Sequence, residues 1–127
     1  MPVFLTRPQV ERLHDEALHR WGGSAGIGDS GLIDSALASA QNAFWYANGD
    51  EYDIAAAYAF HIAESQAFVD ANKRAGVAAA LTFLELNGKY RRPGEEEFYR
   101  AMIAVAEKRM TKAELAAYLR QLGTAPA

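Results

Sequence analysis

The densest chemistry in this sequence lies in five consecutive residues, Asp70, Ala71, Asn72, Lys73 and Arg74. They run directly into an apolar, alanine-rich segment, AGVAAALTFLEL. That segment has helical character, so Lys73 and Arg74 fall in its first turn. A helix N-terminus repels cations, at a cost of about 0.3–1 kcal/mol each. A bound anion reverses the sign, because the free N–H groups of a first turn already form an anion site. Arg74 adds a planar fork and Lys73 a point charge, a pairing that suits a di- or triphosphate. Asn72 can donate to a phosphate oxygen or brace the loop. Asp70 can serve as the N-cap and hold Mg²⁺, which takes one or two carboxylates together with substrate phosphates. Phe68 reads as the apolar anchor of the loop. On spacing alone, a solvated polar turn capped by Asp70 accounts for the same residues.

Helices are expected to position this joint. Thr6-Arg7-Pro8-Gln9 reads as a capping box with proline in the first turn, opening a helix that Gly22-Gly23 stops. Asp29 or Ser30 caps a second helix carrying Leu32, Ile33, Ala36, Leu37 and Ala40. Residues 42–52 read as a connection, with Phe44, Trp45 and Tyr46 as core anchors. Asp53 is expected to cap a third helix, which breaks around residues 67–69. The fourth closes at Asn87-Gly88. Residues 89–92 are a candidate short strand. A fifth helix, EEEFYRAMIAVAEKR, places acids first and cations last, as the dipole prefers. Thr111 and Glu114 form a second capping box, opening a sixth helix that ends at Gly123. The fold class is all-α: a compact six-helix bundle over residues 1–123, with a loose tail at 124–127. The third and fourth helices, apolar almost all round, belong at its centre.

Composition narrows the function classes. The 127 residues suit one domain, half of them apolar and 23% charged. A net charge of −3 argues against direct nucleic-acid binding across the surface. There is no cysteine, hence no disulfide or thiolate metal site. The N-terminal stretch has no apolar core of signal-peptide type, and no apolar run is long enough to span a bilayer. The expectation is a cytoplasmic protein without membrane contact. GIGDSG, residues 26–31, matches G-x-G-x-x-G. It follows a helix rather than a strand, so it reads as a flexible helix-to-helix loop ending in a cap. His14 and His19 are five apart and do not share a helix face, which argues against a metal pair. His61 reads as a core histidine with a hydrogen-bond partner.

Phe68-x-Asp70-Ala71-Asn72-Lys73-Arg74, followed by a helix ending Leu84-Glu85-Leu86-Asn87-Gly88, resembles the signature of the Fic/Doc family, closest to its Doc (death-on-curing) branch. Leu13-His14-Asp15, Gly22-Gly23, the stretch Gly26-Ile27-x-Asp29-x-Gly31-Leu32 and Ser35-Ala36-Leu37 fit the same pattern. The likeness spans residues 13–88. It implies nucleotide phosphates, of ATP or another nucleotide, at Ala71, Asn72, Lys73 and Arg74, with Mg²⁺ at Asp70. It also implies a toxin that passes a phosphoryl group to elongation factor Tu and is neutralised by a Phd-like antitoxin. Fic proteins that transfer AMP carry a second arginine, and here that position is Val77. The family's histidine general base is replaced by Gln66. A carboxamide forms hydrogen bonds but cannot accept the proton. The resemblance leaves Gln66 to orient the hydroxyl and Asp70 as the alternative proton acceptor. Three readings stay open: a Doc-like kinase with activity lowered by Gln66, a non-catalytic nucleotide- or partner-binding member, and an AMP transferase.

Overall fold

The computed structural model describes residues 1–89 and 95–124. Six helices follow one another: α1 (Arg7–Trp21), α2 (Ser30–Trp45), α3 (Glu51–Ser65), α4 (Asn72–Leu86), α5 (Glu95–Ala106) and α6 (Lys112–Thr124). The all-α expectation holds. Among the described residues there is no strand, only an isolated antiparallel bridge between Ile27 and Phe68. The candidate strand at 89–92 lies outside the described residues after Lys89, as does the tail after Thr124.

Helices α3 and α4 form the centre, as their all-round apolarity predicts. They pack most extensively on each other, with α2 and α6 against α3, and α1 and α5 against α4. Small residues make this approach possible. Ala55, Ala56, Ala57, Ala59, Ala75, Ala79 and Ala80 are fully buried. Larger side chains complete the core, with Tyr58, Phe83, Phe98 and Met102 buried around them. Tyr58 does not leave its hydroxyl unsatisfied: the Leu5 N–H donates to it at 2.9 Å. Burial pushes this phenol up to about 12.

The α1 capping box forms as expected, with the Gln9 N–H donating to Thr6 Oγ1 and the Thr6 N–H to Gln9 Oε1. The box at Thr111 and Glu114 forms as well. Other boundaries differ. The third helix is capped by Asp50, not Asp53. Asp53 is its third residue and returns a hydrogen bond to the Asp50 N–H, a capping box written with two aspartates. Arg120 bridges both carboxylates and holds Asp50 down at about 2. Helix α2 continues through Asn42 to Trp45, because asparagine and aromatics tolerate a helix that packing supports. Phe44 does anchor the core against Phe4, but Trp45 and Tyr46 are 53% and 85% exposed. Helix α5 stops at Ala106, since Lys108 turns left-handed at φ 64°. The cations expected in its last turn therefore lie beyond it. Helix α6 runs one residue past Gly123.

Candidate functional site

The α3–α4 joint is a knot of hydrogen bonds rather than an open linker. Gln66 ends α3 in the left-handed region, at φ 56° and ψ 34°. Ala67 and Phe68 then dive into the core. The glycine loop lies alongside. Gly28 and Asp29 donate their N–H groups to the Ala67 carbonyl at 2.8 and 3.0 Å, and Val69 donates to the Gly26 carbonyl at 3.1 Å. The G-x-G-x-x-G segment is therefore no free linker. It braces the motif loop, while Asp29 caps α2 through the Gly31 N–H.

Asn72 latches the turn. Its Oδ1 accepts from the Phe68 N–H and its Nδ2 donates to the Phe68 carbonyl, both at 3.1 Å. Of the two roles open to it, the structure shows the brace. What Asn72 still offers an anion is its backbone N–H. Asn72→Ala strands two buried backbone groups on Phe68, so it should destabilise the fold by about 2–4 kcal/mol in urea denaturation.

Asp70 does not cap α4. The N-cap is Ala71, left-handed at φ 62°, with no side-chain hydrogen bond to the first turn. The N–H groups of Asn72, Lys73 and Arg74 have no partner within the helix. Asp70 is exposed at the mouth of the loop. Its Oδ1 accepts from the Ala71 N–H at 2.8 Å and its Oδ2 from the Ser24 N–H at 3.2 Å. These two donors, with a smaller contribution from His14, hold its carboxyl below the usual carboxylate value. Gly23 makes the approach possible, at φ +123° and with room for no side chain. A Cβ there would sit 2.9 Å from Asp70 Oδ2.

Two side chains to which the sequence assigned no role in the site also shape it. His14, only 2% exposed, places Nε2 2.7 Å from the Asp70 carbonyl. A carbonyl only accepts, so Nε2 carries the hydrogen. The same ring stacks on Phe68, with centroids 3.8 Å apart and planes 9° apart. Phe68 is thus the anchor expected, and His14 is what it anchors to. The Leu13-His14-Asp15 match pointed toward it. Tyr99, on α5, faces Arg74, and nothing in its spacing signals this. His61 is not a core residue. It is half-buried, with Nε2 3.2 Å from Lys112 Nζ.

Gln66, Asp70, Ala71, Asn72, Lys73 and Arg74 line one cavity of about 180 Å³. A neighbouring cleft of about 430 Å³ extends it past Asp70 and Arg74 to Trp21 and Gly23. A larger cleft, about 550 Å³, opens elsewhere between α2, α3 and α6 beside His61 and Lys112. Size does not decide between them. The small cavity is the one that gathers uncapped N–H groups, two cations and an ionised carboxylate.

Residues 4–84 match the family model described as Fic/DOC family. The chain belongs to the Fic/DOC family. It is similar to "Protein kinase doc" of Escherichia phage P1, 35% identical over 77 residues, which cover 60% of this chain and 61% of that protein. It is also similar to "Toxin Doc" of Mycolicibacterium smegmatis, 40% identical over 70 residues, covering 54% of each. The aligned stretch thus spans a little over half the length of these two relatives. The matched stretch includes the α3–α4 joint. No helix among the described residues is long and apolar enough to cross a membrane.

Proposed function

We propose that this chain is a Doc-like toxin of a toxin–antitoxin pair. It transfers the terminal phosphoryl group of a Mg²⁺–nucleotide, ATP being the reference case, to a hydroxyl of a translation factor, elongation factor Tu by family likeness. A Phd-like antitoxin would neutralise it in the cytoplasm. The observation that carries this reading is the start of α4: three backbone N–H groups without a partner among the described residues, beside Lys73 and Arg74, with no side-chain cap.

The residues fit a magnesium ion bound with phosphates. Asp70 is exposed and held ionised, and each of its oxygens accepts a single N–H, leaving lone pairs free. No cluster of three or more acidic or histidine ligands exists among the described residues, so the phosphates would complete the shell. When bound, the ion would neutralise phosphate charge. The chain's own part is positioning. The N–H groups of residues 72–74 would grip the phosphate oxygens, and Lys73 and Arg74 would stabilise the charge that builds during transfer. Gln66, at the mouth of the same cavity, would orient the target hydroxyl without taking its proton.

A second reading, a binding member without catalysis, is favoured by Gln66 alone. The AMP-transfer reading is weaker, because Val77 is buried in the core where a second arginine would be needed. The test of phosphate binding is calorimetry with MgATP. Arg74→Ala should weaken binding by about 1.5–3 kcal/mol. Unchanged affinity would overturn the assignment.

A further inference from the structure

Arg74 is held in an unusual way for a phosphate ligand. Its side chain is only 16% exposed. Its guanidinium carbon lies 3.6 Å from the Tyr99 ring centre and 4.0 Å from the Trp21 ring centre. Two rings this close to one carbon must approach it from different directions, so Arg74 is held between them. Its Nη1 also donates to Glu96 Oε1 at 2.9 Å. Trp21 carries a second cation, Arg20, 4.4 Å from its ring centre, and Arg20 pairs with Glu95 at 2.8 Å. The stack therefore joins the last residues of α1, the first turn of α4 and the first turns of α5.

A free arginine explores many rotamers, and ordering it on a ligand costs side-chain entropy. A planar cation between two π faces is already ordered, and the edge N–H groups not given to Glu96 remain available in the plane. Both rings also line the cleft that runs from Arg74 past Asp70. We propose that Trp21 and Tyr99 are positioning residues. They preset the Arg74 guanidinium so that its edge addresses the anion at the α4 N-terminus. The proposal rests on the phosphate-binding role given to Arg74 above.

The test is a coupling experiment on the full chain with MgATP as probe. Tyr99→Leu and Trp21→Leu should each weaken MgATP binding by roughly threefold to thirtyfold. Tyr99→Phe, which keeps the ring, should bind like the parent. In an Arg74→Lys background, where no planar group remains to be layered, Tyr99→Leu should have no further effect. A ring that only supports the fold would weaken binding equally in both backgrounds, and that result overturns the proposal. A second readout needs no nucleotide. In the ligand-free parent protein, the Arg74 Nε–H group should give a sharp, ordered NMR signal, assigned by its loss in Arg74→Lys. An averaged, mobile signal also overturns the proposal. Absence of MgATP binding to the parent protein overturns the phosphate reading, while the NMR signal still decides whether the rings hold Arg74.

Discussion

Gln66→His should raise phosphoryl transfer by about 10²–10⁴-fold, the usual contribution of a positioned general base. The site is prepared for the exchange. Gln66 sits at φ 56° and ψ 34°, a region that histidine enters more readily than most residues. It is exposed and lines the same cavity as Lys73, Asp70 and Arg74, so an imidazole there would face the place where phosphates are expected. Lys73 has no ion-pair partner among the described residues, and its positive charge would favour the neutral, proton-accepting imidazole. The measurement is incubation of parent and variant with γ-labelled ATP, Mg²⁺ and a cell extract. Strong label on one protein with the variant, and a trace with the parent, is the expected result. Equal label would mean that transfer needs no general base at position 66, the carboxamide serving only to orient the hydroxyl. No label from either, with MgATP still bound, would favour the non-catalytic reading. Label from α-labelled ATP would move the assignment to AMP transfer.

The second large effect is on the fold. Gly76→Ala should destabilise the protein by about 3 kcal/mol, near the upper end for overpacking a core. In a chain of this size that corresponds to a melting temperature roughly 10 °C lower. A Cβ on Gly76 would sit 2.7 Å from the Ala59 carbonyl oxygen. That neighbour is the backbone of α3, which cannot swing aside as a side-chain tip can. The only relief is to separate α3 from α4, the pair that frames the site. Nucleotide binding should therefore weaken along with stability. Gly88→Ala makes the contrast. Gly88 is at φ +72°, and a Cβ added to it would meet nothing within 4 Å, so only backbone strain of about 1 kcal/mol should appear. Thermal unfolding of the two variants side by side separates packing from strain. Equal losses would sink the packing argument.

Much of this molecule is legible along the chain. The six helices follow from local signals: the Thr6–Gln9 and Thr111–Glu114 boxes, the glycines after α1, and the apolar runs of α3 and α4. Their central place follows from all-round apolarity, a property of sequence alone. The cationic start of α4 is equally local, because Lys73 and Arg74 stand where the apolar helical run begins. Boundaries were less legible where two residues compete for one role. Asp50 and Asp53 both qualify as caps, and the reciprocal bonds of the box make Asp50 the cap and Asp53 the third helical residue. Asp70 looked like the cap of α4, yet Ser24 and Ala71 hold its carboxylate in the loop instead.

What only the tertiary structure decided is which side chains meet. His14 reaches the Asp70 carbonyl across 56 residues, and Trp21 and Tyr99 reach Arg74 from α1 and α5. The glycine loop joins the motif through backbone bonds that no side-chain pattern encodes. Helix periodicity tells which face is buried, not which neighbour it meets. Residues 70–74 by themselves put two cations in the first turn of a helix; the packing of α1, α4 and α5 brings Trp21 and Tyr99 onto the Arg74 guanidinium.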